Sequence, residues 1–186
     1  SPDGKLVAYY CTADPVDWSG PRHAKIYSLE DGKSWRLKAT PDENGGILGW
    51  TPDGKNILCS EANRTLNSIY ILSVDGKSII EWNKGSKDYI SGASLNVTGS
   101  HLAFILQNPS QMPEAYTSTL SNFSPVKITS INAEYASKAL PRTEVVKWKG
   151  ADGKEIEGLL TYPLDYQPGQ KVPFILNVHG GPAGVF

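Results

Sequence analysis

The sequence is poor in cysteine: Cys11 and Cys59 are the only two in 186 residues, and they lack a CxxC spacing. Two thiols are too few for a disulfide framework and are wrongly spaced for a zinc site. Both fall in alternating apolar stretches, where a buried free thiol is expected. Neither sign of charge prevails, since 18 Lys+Arg against 19 Asp+Glu leave a net charge of −1, and no Lys/Arg run exceeds two residues. Collecting nucleic-acid phosphates requires concentrated cations, so nucleic acid is set aside as a partner. No apolar stretch approaches the roughly 18 residues of a bilayer-spanning helix, and the longest, around "VPFIL", is strand-sized. No membrane span is expected. No metal-ligand constellation or phosphate loop is visible, and no cofactor is expected. The chain opens on "SPDGK" without a charged-then-apolar leader. That opening reads as the middle of a repeat, so a signal peptide upstream is compatible with it and no compartment is assigned. Three sequons, beginning at Asn63, Asn96 and Asn122, would permit glycosylation in a secretory host.

What the sequence does have is a repeat. "SPDGKLVAYYCT" from Ser1 returns as "TPDGKNILCSEA" from Thr51 and, degraded, as "NVTGSHLAFILQ" from Asn96. A second element, "KIYSLEDGKSWRL" from Lys25, returns as "SIYILSVDGKSII" from Ser68. Asp-Gly between alternating apolar runs is a strong hairpin signal, and a type I′ turn with positive φ at both central residues is expected at each DGK. The second repeat resolves into four strands, "GGILGW", "NILCSE", "SIYILSV" and "SIIEW"; the third into "YISGASLN", "HLAFILQ", "EAYTSTL" and "VKIT". The first lacks only its opening strand. Four short antiparallel strands at a period of about 45 to 50 residues describe propeller blades. An immunoglobulin-like sandwich is the competing all-β reading, but it does not account for two registered motifs per period. "LVAYY" and "LAFIL" are nearly continuously apolar, as strands buried on both faces should be. The one helix candidate, "INAEYASKALP" from Ile131, would end at Pro141. Three blades do not close a propeller, so further blades are expected before Ser1 and the chain is expected to be a segment.

After Pro141 the repeat stops. "EVVKWKG" and "EIEGLLTYP" are expected to pair as a hairpin through Asp152-Gly153, and a polar loop leads to "KVPFILNVHGGP". Val172 to His179 reads as a strand buried in an α/β sheet. Gly180 and Gly181 let the chain turn sharply beyond it and allow close approach of a ligand to the backbone. A strand running into His-Gly-Gly is the arrangement in which α/β-hydrolases supply one backbone N–H of an oxyanion hole.

"PDGK" repeats, then "PEAY", then "TEVVKWKGADGKEIEGLLTYP" and "PFILNVHGGP" together resemble the prolyl oligopeptidase family of serine peptidases, in particular its dipeptidyl-peptidase and acylaminoacyl-peptidase-like branch. The resemblance covers the whole chain, and its specificity lies mainly in the last 45 residues. It implies a mainly β fold in which residues 1–138 are three TolB-like propeller blades, the first incomplete. Residues 139–186 would be the linker and first strands of an α/β-hydrolase domain. It implies a peptide as substrate and an acyl-enzyme mechanism. It also implies an oxyanion donor at the N–H of Gly181, in a loop shaped by His179, Gly180 and Pro182; some relatives place a tyrosine hydroxyl donor where His179 stands.

The catalytic triad that the family uses has no counterpart here, because no G-x-S-x-G string occurs. The nearest, "GASLN", lacks the last glycine, and its Ser94 is expected to be a blade-strand residue. His23 and His101 read as strand-end or surface histidines. Asp14, Asp17, Glu43 and Glu61 read as solvated acids in or beside strand connections, with no Glu-Glu pair of the kind that would hold a substrate amino group, and Trp18 reads equally as facing the channel or as packing under a long loop. The segment alone is therefore expected to be inactive, and its exposed apolar edges are expected to make it aggregate. The rival readings are a non-catalytic TolB-like binding propeller and an α/β-hydrolase esterase.

Overall fold

The computed structural model describes residues 1–12, 15–17, 20–135 and 137–180. Thirteen strands form four antiparallel sheets among them. The first is three-stranded, β1 (Leu6–Cys11), β2 (His23–Ser28) and β3 (Ser34–Arg36). The second runs in sequence order through β4 (Gly46–Trp50), β5 (Asn56–Asn63), β6 (Leu66–Ser73) and β7 (Ile79–Glu81). The third repeats that order with β8 (Tyr89–Leu95), β9 (His101–Asn108), β10 (Gln111–Thr119) and β11 (Asn122–Lys127). The three sheets have the strand order expected of propeller blades and are referred to as blades one to three. The hairpin β12 (Thr143–Lys149) and β13 (Glu155–Thr161) stands apart as a sheet of its own.

Blade two shows how the blades cohere. Successive side chains of a strand point to opposite faces, and β5 uses both: Ile57, Leu58 and Cys59 are all fully buried. Ile57 and Cys59 join Tyr70, Leu72, Ile26 and Leu37 in a core shared with blade one. Leu58 joins Ile69, Trp82, Ile90, Leu102 and Phe104 in a core shared with blade three. There Trp82 meets Phe104 and Phe123 edge-on at centroid distances of 5.7 and 5.0 Å, and its indole N–H donates to the Thr119 carbonyl at 3.3 Å. "LAFIL" in β9 departs from the expected two-sided burial. Leu102, Phe104 and Leu106 are buried while Ala103 and Ile105 are exposed, because only one face of blade three meets another blade among the described residues.

The DGK motifs are hairpin corners of a different kind from the type I′ turn expected. Only the glycine is left-handed, with φ of 70° at Gly54 and 75° at Gly76, and the preceding aspartates are not. The Gly54 N–H donates to the Thr51 carbonyl at 2.8 Å, as in a type I turn closed by a left-handed glycine. The residue three before the glycine explains the rest of the motif. Thr51 Oγ1 donates to Asp53 Oδ1 at 2.6 Å and accepts from the Asn56 N–H at 3.0 Å, while the same Asp53 oxygen accepts from the Lys55 N–H at 3.0 Å. Ser1 with Asp3 and Ser73 with Asp75 repeat this arrangement, at 2.6 and 2.7 Å for the hydroxyl-to-carboxylate bond. The serine and lysine hydrogen bonds hold the Asp75 carboxyl down at about 2.

Up-and-down strand order sends all these turns to one end of the blades, where they touch. A Cβ on Gly99 would lie 2.3 Å from Pro52 Cδ of the neighbouring corner, and one on Gly54 would lie 3.8 Å from Pro2 Cδ. The opposite end carries the β5–β6 and β9–β10 turns, the connections between blades and the exit toward the hairpin.

Two expected elements are not formed. The segment from Ile131 makes only a 3₁₀ turn, Ala133–Tyr135. Ile131 is 75% exposed and the segment buries no apolar face, so nothing outside it rewards a longer helix. Val172 to His179 belongs to no sheet: β12 and β13 pair only with each other. A strand is defined by a ladder partner for its backbone N–H and C=O groups, and none stands beside this segment among the described residues.

Candidate functional site

Two buried carboxylates and the ion pairs to the hairpin lie at the connection end. Glu61, expected to be a solvated loop acid, instead sits in β5 at 2% exposure. It gathers the incoming connection by accepting from the Thr40 hydroxyl, from the Asp42 N–H at 2.9 Å and from the Asn44 N–H at 3.1 Å. Burying a carboxylate is tolerated only when it is well hydrogen-bonded, and three donors meet that condition. Glu43 is also no free acid. With φ of 47° it places its carboxylate 2.7 Å from His23 Nδ1 and against Arg36. Burial pushes its carboxyl up, but the His23 and Arg36 contacts outweigh this and hold it below the usual range. Asp17 is exposed, whereas Asp14 and Trp18 lie outside the described residues.

Glu114 plays the corresponding part at the exit of blade three. Only 2% exposed, it accepts from the Thr129 hydroxyl, from the Ile131 N–H at 3.1 Å and from the Asn132 N–H at 2.9 Å. The Thr129 hydroxyl and the Asn132 N–H, aided by the Ile131 N–H and Lys127, hold its carboxyl at about 2. Sequence reasoning passed over this residue because "PEAY" reads as an alternating strand. The signal it left was an acid at an inward position of that alternation.

The hairpin reaches the same end. Arg64, at the β5–β6 turn with φ of 58°, contacts Glu157 and lies 3.4 Å from Glu155, while Lys147 of β12 approaches the same two carboxylates at 2.8 and 3.1 Å. Arg142 covers the Tyr162 ring at 3.8 Å, and the Tyr162 hydroxyl donates to Glu144.

Of the residues expected to form the oxyanion loop, His179 and Gly180 follow the exposed segment, and Gly181 and Pro182 lie outside the described residues. Phe174, Ile175 and Leu176 leading to them are 73%, 88% and 72% exposed. Ser94 is a residue of β8, His101 opens β9 with its Nδ1 2.9 Å from Ser100 Oγ, and His23 opens β2. None of the three approaches another as a nucleophile–base pair. Cys59 is a buried free thiol as expected, and Cys11 is half-buried and free. Burial pushes the Cys59 thiol up to about 11, so it is not a nucleophile at neutral pH. Among the described residues no group of three or more His, Cys, Asp and Glu is placed to hold a metal ion, and no helix is long and apolar enough to cross a membrane.

No family model matches the sequence. The chain is 26% identical over 194 aligned positions to dipeptidyl-peptidase 5 of Aspergillus fumigatus, covering 99% of this chain and 26% of that protein. Its fold is similar to that of the AtxE2 isopeptidase, with a TM-score of 0.74 over 91% of this chain and 26% of the isopeptidase at 16% identity. TolB from Acinetobacter baumannii is similar over 87% of this chain and 39% of its own, at 15% identity and a TM-score of 0.53, which accords with propeller blades. The chain thus spans about a quarter of the length of the peptidases it matches, and its resemblance to the prolyl oligopeptidase family is borne out by them.

Proposed function

We propose that the chain is a segment of a serine peptidase that cleaves short peptides through an acyl-enzyme. In this reading the nucleophilic serine, its histidine and its aspartate all lie outside these 186 residues. Residues 1–138 supply propeller blades, and residues 139–186 carry the chain into an α/β-hydrolase domain. One observation carries the proposal: an apolar run ending in Asn-Val-His-Gly-Gly-Pro follows a propeller and a hairpin, in a chain alignable over 99% of its length with a dipeptidyl-peptidase.

The serine Oγ attacks the scissile carbonyl, whose oxygen gains negative charge in the tetrahedral intermediate. The Gly181 N–H donates to that oxygen, while His179, Gly180 and Pro182 hold the loop. A glycine suits this position because no Cβ stands between backbone and substrate. One such donor contributes on the order of 3 kcal/mol to transition-state stabilisation in a site with little water.

The test is Gly181→Pro in the full-length protein, which removes the N–H. The expected result is a fall in kcat of roughly 10²- to 10³-fold with KM little changed; an unchanged kcat removes Gly181 from the mechanism. A non-catalytic binding propeller accounts for the blades and the likeness to TolB but gives no role to the His-Gly-Gly-Pro loop.

A further inference from the structure

A cavity of about 540 Å³ opens at the connection end, between the β9–β10 turn and the exit toward the hairpin. Its volume falls within the roughly 300–1,000 Å³ of small-ligand sites. Three cations, Lys127, Lys138 and Arg142, line it beside Met112, Tyr135 and Leu140. The one acid in its wall, Glu114, is already neutralised: the Thr129 hydroxyl and two backbone N–H groups take its oxygens, and Lys127 lies 3.7 Å away. Arg142 is shared with Glu144 at 3.5 Å. Lys138 makes no ion pair among the described residues. The cavity therefore offers positive charge, partly unspent, next to apolar surface. Of the groups a peptide carries, a terminal carboxylate adjoining an apolar side chain fits both features. The cavity's position is consistent with this, because it lies where the chain leaves the last blade for the hairpin, on the end that also carries the hairpin contacts.

We infer that this cavity binds the C-terminal carboxylate of a peptide ligand, with Lys138 and Arg142 as its charge partners and Met112, Tyr135 and Leu140 contacting the last side chain. The inference rests on the peptidase reading for its choice of a peptide. Ion-pair recognition of this sort, charge-assisted on both sides, outweighs a neutral hydrogen bond by about tenfold in affinity.

The test is photo-crosslinking of the full-length protein with a tetrapeptide ending in p-benzoylphenylalanine, as free acid and as C-terminal amide, mapped by mass spectrometry. Pretreatment with a fluorophosphonate prevents hydrolysis of the probe if the protein is a serine peptidase. The expected result is crosslinking at Met112 or Tyr135 with the free acid, about tenfold weaker with the amide and lost in Lys138→Glu. Lys138 is exposed and makes no ion pair among the described residues, so that variant should fold. Equal crosslinking by acid and amide overturns the inference, as does crosslinking that avoids the cavity. Displacement of the peptide by inorganic phosphate at equal concentration also overturns it, since the site would then read charge alone. The peptidase reading fails separately, if the fluorophosphonate labels no serine while the peptide still crosslinks in the cavity.

Discussion

The two ends of the blades differ in what they repeat. At the turn end, Ser1-Pro-Asp-Gly-Lys, Thr51-Pro-Asp-Gly-Lys and Ser73-Val-Asp-Gly-Lys build one hydrogen-bonded corner three times over, and corners of neighbouring blades touch. The connection end is less uniform: Glu61 and Glu114 take corresponding parts, each accepting from a threonine hydroxyl and two backbone N–H groups, but Glu43 with His23 and Arg36, and Arg64 with the hairpin, each occur once among the described residues. A repeated architecture needs the same corner at every blade, because each corner solves the same backbone problem. Residues that fix one connection, or one ligand, need be made only once. The turn end therefore records the fold in the sequence, and the connection end is where function is to be sought.

The contrast is broken most severely at Glu61. Glu61→Ala leaves the Thr40 hydroxyl and two backbone N–H groups without their acceptor in a closed space, and a loss of about 3 kcal/mol in urea unfolding is expected. The turn end provides an internal comparison. Gly99→Ala meets both a left-handed φ of 69° and Pro52 Cδ at 2.3 Å, so a loss of about 2 kcal/mol or more is expected. Gly54→Ala shares the φ, at 70°, but its nearest neighbour is Pro2 Cδ at 3.8 Å, and a loss of about 1 kcal/mol is expected. Equal losses at the two glycines would show that the corners do not touch.

Glu114 sharpens the comparison through pH. Its folded carboxyl is depressed to about 2 from an ordinary 4.5, so its contribution is complete above about 4.5 and is lost as pH falls toward 2. Glu114→Gln should melt lower than the parent at pH 7, and the gap should narrow as pH falls through that window; a constant gap contradicts the assignment. The smallest effect is expected at Arg64, whose own side chain is 61% exposed in its ion pairs with Glu155 and Glu157. Arg64→Ala should alter the unfolding midpoint barely at low salt and not at all above about 0.5 M, where screening is nearly complete.

The same division decides how much was legible in the sequence. Strand order in blades two and three followed from the repeat, because an Asp-Gly corner between apolar runs is local chemistry. The turn type was misjudged because the hydroxyl at Thr51 or Ser73, which selects the left-handed glycine alone, is a partner two residues outside the Asp-Gly pair. One-sided burial of "LAFIL" was hidden, since apolar residues on an exposed face look the same in sequence as those on a buried one. Glu61 and Glu114 were illegible as buried acceptors: their donors arrive from 17 to 21 and 15 to 18 residues away along the chain. The proposed oxyanion loop rests on the sequence, for Gly181 and Pro182 lie outside the described residues.

In the proposed reading, this chain positions and assists a reaction whose nucleophile lies elsewhere in the protein. A fluorophosphonate probe, applied in parallel to the 186-residue chain and to the full-length protein and followed by mapping of the modified residue, tests this most directly. The account predicts one labelled serine in the full-length protein, outside these residues, and none in the chain alone. Labelling of Ser94 or any other serine of the chain, or no labelling of the full-length protein, would contradict it.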